Sequence, residues 1–372
     1  MAAYDFLIIG SGMAGAGAAY ELADGARVLL LEREEVHGYH TTGRSAALYI
    51  ESYGNAVIRG LTRASRGFFE APPADFCAYP LLTPRGCLHI ARADQAAALA
   101  RAAAAADGAA IPLDRDAVRA MVPALRPDYV AAGLLEAAAM DADVEALHQG
   151  FLRGARARGA DIRLDQAVTA IDRLADGLRV TCASGEAFEA VAVVNAAGAW
   201  ADAVAALAGA APVGLQPMRR TALVVDAPPG ADVRGWPAVI DVDEQFYFKP
   251  EAGRILASPA DETLSEPCDA WADDMDVAVC VARMQAAADI PVRRIVRSWA
   301  GLRSFVADRS PVIGYDAEIA GFFWLAGQGG YGVQTAPAAA RAAAALARGQ
   351  VLPADLAANG VTARSLSPAR LR

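Results

Sequence analysis

Tyr4-Asp-Phe-Leu-Ile-Ile-Gly10-Ser-Gly12-Met-Ala-Gly15 opens the stretch that decides the fold. It continues through an alanine-rich run to Leu22 and closes on Arg27-Val-Leu-Leu-Leu-Glu32. An apolar, β-branched run ends in a Gly-x-Gly-x-x-Gly turn. A helical segment follows, then a second apolar run that stops at an acid. This is the pattern of strand, glycine turn, helix and parallel strand that binds a dinucleotide. Gly10 permits the tight turn, Gly12 admits a pyrophosphate to the backbone, and Gly15 lets the helix pack closely on the strands. The helix N-terminus turns unpaired N–H groups and a positive dipole end toward the phosphates. Glu32 is placed to accept hydrogen bonds from a ribose diol. The stretch alone does not choose between FAD and NAD.

The rest of the composition narrows the class. A chain of 372 residues with 55% hydrophobic content can bury a large core and suggests two domains. Its 34 basic and 43 acidic residues leave a net charge of −9. No basic stretch is long enough to engage a nucleic acid. Five cysteines without a CxxC pair read as reduced thiols of a cytosolic protein. Four histidines without ligand spacing argue against a metal site. The N-terminal apolar run enters the glycine turn directly, so it reads as a strand and not as a signal peptide. No charge-free apolar run is long enough to span a membrane. The expected location is the cytoplasm, with peripheral membrane association through an electron acceptor as an alternative.

Further elements follow in order. Helices are expected over 56–70, 94–106 and from Asp143 to about Arg158, where Gly159 ends the run. Strands are expected near 87–91, 162–164, 167–173, 178–183 and 188–194. The last runs into Asn195-Ala-Ala-Gly198-Ala-Trp200 and another helix, repeating the opening logic. From about residue 216, short runs separated by Pro and Gly indicate an antiparallel sheet, with a helix over 273–288. Phe322–Gly327 reads as a final strand, ending in Gln328-Gly-Gly-Tyr-Gly332 before a helix of about 335–348. The expected architecture is α/β, a Rossmann-like dinucleotide domain from 1–80, 145–215 and 308–372. An interleaved α+β substrate domain on a mainly antiparallel sheet takes 81–144 and 216–307. The second glycine-rich strand-to-helix turn offers N–H groups suited to an isoalloxazine ring, which favours a flavin over a nicotinamide.

Long stretches of the chain carry a resemblance. They include Gly38-Tyr-His-Thr-Thr-Gly-Arg-Ser-Ala-Ala47, Pro80-Leu-Leu-Thr-Pro-Arg85, Leu147-His-Gln-Gly150, Val194-Asn-Ala-Ala-Gly-Ala-Trp200, Trp299-Ala-Gly-Leu-Arg-Ser-Phe-Val-Ala-Asp308 and Gln328-Gly-Gly-Tyr-Gly332. Over nearly its whole length the chain resembles the FAD-dependent D-amino acid oxidase superfamily, which includes glycine and sarcosine oxidases. Within it, the pattern looks most like the bacterial D-arginine dehydrogenase branch. The resemblance implies a non-covalent FAD. It would be held by Gly10, Gly12, Met13, Ala14, Gly15, Glu32, Arg33, Thr41, Thr42, Gly43, Arg44, Ser45, Ala46, Val168, Ala197, Gly198, Trp200, Gly329, Gly330, Tyr331, Gly332 and Val333.

The resemblance also implies Ser45 and Ala46 near the reactive flavin nitrogen N5. A substrate carboxylate would be gripped by Arg220, Arg303, Tyr53 and Tyr247, with Gly332 and the Gln334 side chain beside the amine. Strand alternation lets only one of Arg219 and Arg220 face the site. His40 is expected to cap the flavin loop. Cys87 stands where the D-arginine branch has the glutamate that pairs with a guanidinium. Leu48 and Ile50 replace polar residues of the same wall. A buried cation without a partner is disfavoured, so the implied substrate is a neutral or apolar D-amino acid. Asp241, Asp243 and Glu51 would compensate only by pointing into the pocket.

The implied reaction is oxidative deamination. Hydride passes from Cα to flavin N5, and the imino acid hydrolyses to a 2-oxo acid and ammonia. The electron acceptor is open between a quinone, a carrier protein and O2. Alternatives keep the fold with glycine, N-methyl amino acids or 2-hydroxy acids as donors, or make the chain a flavin-binding protein without turnover.

Overall fold

A computed structural model describes residues 3–372. The opening stretch folds as its pattern dictates: strand Tyr4–Ile9, helix Met13–Leu22 and strand Val28–Leu31. The two strands pair in parallel, Phe6 against Val28 through Ile9 against Leu31. Gly10 adopts φ +99°, and a Cβ there would stand 2.6 Å from the Ala196 carbonyl oxygen. A Cβ on Gly15 would overlap the Gly10 carbonyl oxygen. Both glycines therefore exist for close approach of backbone to backbone.

These two strands are the middle of an eight-stranded sheet, which runs through Val168–Leu174, Gly177–Cys182, Ala187–Asn195, Tyr4–Ile9, Val28–Leu31 and Asp161–Arg163. Ala187–Asn195 is long enough to take two partners on one edge. The antiparallel hairpin strand Gly177–Cys182 runs along its first half, and Phe322–Ala326 pairs in parallel with Val193 to Asn195. Strand Val312–Tyr315, which the sequence reading did not anticipate, pairs antiparallel with Phe322–Ala326. Helices Met13–Leu22, Val144–Ala157 and Ala336–Ala347 cover one face. Their small residues bring them together. A Cβ on Gly17 would lie 3.0 Å from the Ala340 side chain, and Gly154 rests on the ring of Tyr20. The other face is sealed by a second cluster around Phe322 and Trp324.

A second sheet of nine strands forms the floor of the other half. Its order is Thr263–Leu264, Gln216–Val225, Arg254–Ser258, Tyr247–Glu251, Ala238–Asp241, Cys87–Ala91, Ala132–Glu136 and Ile111–Asp114, with Arg297–Phe305 alongside Gln216–Val225. Pairing is antiparallel except where Ala238–Asp241 meets Cys87–Ala91 in parallel. One parallel contact among antiparallel ones agrees with the mainly antiparallel sheet expected. A parallel pair cannot be closed by a tight hairpin, and these two strands lie far apart in the chain. Leu48–Tyr49, Met140–Ala142 and Leu82–Pro84 make a small third sheet. Strands 111–114 and 132–136 and helix Arg115–Met121 also lie outside the sequence expectations.

The sheets are joined through the loop after Glu32. Thr41 Oγ1 donates to the Leu302 carbonyl at 2.8 Å, and Trp299 Nε1 donates to the Arg44 carbonyl at 2.9 Å. Among the described residues no helix is long and apolar enough to cross a membrane.

Candidate functional site

One cavity of about 660 Å³ runs from the glycine turn at Gly10 to the face of the second sheet. At the first end it is lined by Gly10, Gly12, Met13, Ala14, Glu32, Arg33, Val168, Ala197, Gly198 and Trp200. Glu32 is buried at the end of its strand. Its Oε2 accepts from the Ser11 backbone N–H at 2.8 Å and from Ser11 Oγ at 2.7 Å. His148 braces the same turn through Nε2 and the Ser11 carbonyl at 2.7 Å. Burial lowers its pKa, so the neutral ring donates here. Thr42 Oγ1 takes the Met13 N–H at 2.9 Å. Among the described residues the N–H groups of Gly12 and Ala14 have no acceptor, which leaves them for an anion at the helix N-terminus.

The middle of the cavity is lined by Thr41, Thr42, Arg44, Ser45 and Ala46 on one side and by Gly329, Gly330, Gly332 and Val333 on the other. Two side chains expected at the flavin are engaged with protein here. Arg44 lines the cavity, and its guanidinium is held by the second half of the protein. It donates to the Ala270 carbonyl at 2.7 Å and the Ala300 carbonyl at 3.1 Å, and it pairs with Asp269. It is a strut between loop and sheet. Tyr331 lies behind the wall, packed on Tyr53 at 5.0 Å between ring centroids and on Phe305 at 6.2 Å. Gly15 and Gly43 do not line the cavity either. Both are packing glycines, and a Cβ on Gly43 would stand 2.8 Å from the Gly38 carbonyl oxygen.

His40 does more than cap a loop. Its Nε2 meets Glu34 Oε1 at 2.9 Å, while Nδ1 is buried without a partner. Ser304 Oγ and Gln328 Nε2 are orphaned in the same way, and all three residues line the cavity. Unpartnered polar atoms are costly in an interior, so their convergence on one long cavity fits a polar occupant. Together with the free N–H groups at the glycine turn, the lining fits FAD.

At the far end, Arg220 and Arg303 come from neighbouring antiparallel strands. Arg220 is opposite Gly301 and Arg303 is two residues on, so the two are diagonal neighbours on one face. Arg219 points the other way and pairs with Asp276 at 2.7 Å. Arg220 Nε donates to the Asp261 carbonyl at 2.7 Å, and its Nη2 meets Glu262 at 3.3 Å. Burial, and then the charge of Arg303, pushes the Arg220 guanidinium below its usual range. Burial opposes the charge of Arg303 too, but Tyr53, Tyr247 and Glu262 outweigh it. Burial raises Tyr53, which stays a neutral phenol beside Arg303. Two adjacent desolvated guanidiniums with a single partly shared carboxylate make a strong anion site.

Gln334 lines the cavity, and its amide bonds protein. Nε2 donates to Thr62 Oγ1 at 2.8 Å and the Ile50 carbonyl at 3.3 Å, and Oε1 accepts from the Ile50 N–H at 3.3 Å. It fixes the 50–54 loop with both of its donors, while Oε1 keeps a second lone pair at the cavity for an amine.

Cys87 is fully buried behind the wall, its Sγ 3.6 Å from His89 Nε2. The wall nonetheless contains a carboxylate. Glu136 lies opposite Cys87 in register and meets His89 Nε2 at 3.0 Å. Both His89 and Glu136 line the cavity. Sequence reading missed Glu136 because strand Ala132–Glu136 was not recognised, and it gave His89 no role although strand 87–91 was expected. The available signal was Cys87 and His89 sharing one face of an alternating strand. None of the three acids considered earlier lines the cavity. Glu51 pairs with Arg66 at 2.9 Å, and Asp241 and Asp243 bond the amide of Gln95.

A sequence model described as FAD dependent oxidoreductase matches residues 5–346, and the chain belongs to that family. It is similar in fold to glycine oxidase from Geobacillus kaustophilus, with 22% identity over 94% of this chain and 96% of that one and a TM-score of 0.81. Iminodiacetate oxidase from Chelativorans sp. BNC1 matches at 21% identity over 98% of both chains, with a TM-score of 0.81. L-alpha-glycerophosphate oxidase from Mycoplasma pneumoniae, a structure with FAD bound, matches at 19% over 93% and 94%, with a TM-score of 0.82. These likenesses do not single out the D-arginine dehydrogenase branch.

Proposed function

We propose that this FAD-dependent oxidoreductase carries out the oxidative deamination of neutral D-amino acids, yielding a 2-oxo acid and ammonia. The observation that supports it is the pairing of Arg220 and Arg303 on one face of the second sheet, beside Tyr53 and Tyr247 and against the Gly329–Gly330 turn. Two desolvated cations require an anion, and a carboxylate matches their planar donors. The D configuration rests on the sequence resemblance. The relatives in fold include enzymes named for glycine and for iminodiacetate, which supports an amino-acid-like donor.

FAD supplies the two-electron acceptor when bound. The protein supplies binding and orientation. Arg220 and Arg303 hold the carboxylate, and Tyr53 donates its phenolic hydrogen at the same end. Leu48, Ile50 and Ile240 exclude water around the side chain. The neutral preference rests on the far wall, where Glu136 is already paired with His89 and offers no free counter-charge to a cation; Glu244 is a second carboxylate lining the cavity, toward Tyr53.

Anaerobic mixing of the holoenzyme with a panel tests the reading. The panel holds neutral D-amino acids, D-arginine, glycine, iminodiacetate, sarcosine and 2-hydroxy acids. Neutral D-amino acids are expected to bleach the flavin fastest. Faster bleaching by D-arginine, or by any 2-hydroxy acid, overturns it.

A further inference from the structure

His89 stands in register with Ile240, and Ile240 stands in register with Tyr247. Directly paired residues share a face, and all three line the cavity. Two strand spacings, about 10 Å at the backbone, therefore separate the carboxylate grip at Tyr247 from His89. The intervening wall is apolar, made by Ile50, Leu48 and Ile240. A substrate side chain directed along this row passes over apolar surface and then meets the His89 ring.

The ring is oriented from behind. Its Nε2 is engaged by Glu136 Oε1 and lies near Cys87 Sγ. Its Nδ1 has no partner among the described residues and is not a sealed orphan. We propose that His89, oriented by Glu136, is a side-chain subsite for neutral substrates ending in a hydrogen-bond acceptor, such as a carboxamide three carbons from Cα or nearer. The proposal rests on the carboxylate clamp described above and narrows it.

The charge pattern supports this. Burial opposes protonation of His89, but Cys87 and Glu136 raise its pKa above the usual range, so Nδ1 carries a hydrogen. Glu136 is held ionised against burial by hydrogen bonds from His89 and Ser52. The pair is neutral as a unit. A cationic side chain meets the imidazolium, and an anionic one sits beside Glu136. A neutral acceptor takes the Nδ1–H bond with neither cost.

Two carboxylates without an α-amine test the subsite apart from turnover: 5-amino-5-oxopentanoate and its apolar isostere 5-methylhexanoate. Binding is read from the flavin spectrum of the holoenzyme. The amide is expected to bind about tenfold more tightly, the contribution of one good hydrogen bond. His89→Leu should erase that ratio by weakening the amide alone, while His89→Gln, which keeps an N–H donor, should retain it. Equal binding of the two ligands to the unmodified protein, or a ratio unchanged in His89→Leu, overturns the subsite and leaves the clamp standing. Failure of both ligands to bind overturns the clamp and the subsite together.

Discussion

The Arg303 guanidinium lies against the backbone of Gly330, where a Cβ would stand only 2.8 Å from Nη1. On the proposed reading, the glycine turn beside the flavin is also the seat of the cation that grips the substrate. Gly329 has the same kind of constraint: it adopts φ +55°, and its Cα hydrogen side is filled by the ring of Phe305. Gly330→Ala should push Arg303 out of line. The expected result is a rise in KM of about tenfold or more for amino acid substrates, by loss of a charge-assisted contact. The flavin should remain bound, which its absorption spectrum after gel filtration checks.

Arg220 and Arg303 are diagonal neighbours, but their anchoring differs. Arg220 is tied to the Asp261 carbonyl and Glu262, whereas Arg303 leans on Tyr53. Replacing either by lysine removes the planar fork and keeps the charge. KM should rise on the order of tenfold to a hundredfold for Arg303→Lys, and less for Arg220→Lys, whose guanidinium is partly engaged already. Steady-state kinetics with one neutral D-amino acid would measure both. Equal, small effects would count against the clamp.

Gln334 bonds Ile50 in the 50–54 loop while lining the cavity. Gln334→Leu leaves the Ile50 N–H and carbonyl unpaired in the interior. It should cost about 1–3 kcal/mol of stability. Thermal unfolding of the holoenzyme reads this. If the melting temperature is unchanged while the pH profile of turnover shifts, Gln334 acts on the amine instead.

His89 gains its partner Glu136 only on folding, and its pKa is raised in the folded state against the effect of burial, by Cys87 and Glu136. A group raised on folding contributes stability that is fully present below its unfolded pKa of about 6.5 and is lost as pH climbs through the folded value. The stability difference between the protein and His89→Gln should therefore be largest near pH 6 and shrink toward alkaline pH. Urea unfolding at several pH values checks the sign. A difference that grows with pH would mean that the ring is neutral in the fold.

Gly15→Ala tests the opening turn. Its Cβ would enter the Gly10 carbonyl, so strand and helix must separate where the pyrophosphate would bind. The protein should purify with little flavin and a lowered melting temperature. Normal flavin content would show that the turn can relax.

Much of the architecture is legible in the chain because it depends on local signals. The run from Tyr4 to Glu32 encodes its strand, turn, helix and strand through β-branched residues, three glycines and alanine propensity. The Asp143 cap and Gly159 stop bound helix Val144–Ala157 closely. Short strands without alternation, such as Ile111–Asp114 and Ala132–Glu136, escaped because nothing local distinguishes them from loops. The site divides in the same way. Glycine-rich turns and the two arginines sit in motifs that can be read in order. Arg44, Gln334 and Cys87 sit in motifs as well, yet the protein partners of the first two and the burial of Cys87 behind the wall come only from the fold.

The amino-acid sequence alone determined the strand, glycine turn and helix of the opening stretch and that the chain belongs with the FAD-dependent oxidoreductases. Those properties reside in contiguous residues. Only the tertiary structure decided what stands at the far wall of the pocket. Cys87 and Glu136 are 49 positions apart in the chain, and strand pairing alone sets them opposite each other. The acid that appeared missing at Cys87 is supplied from the neighbouring strand and neutralised by His89. Non-local pairing, which no spacing rule can read, fixed the charge of that wall.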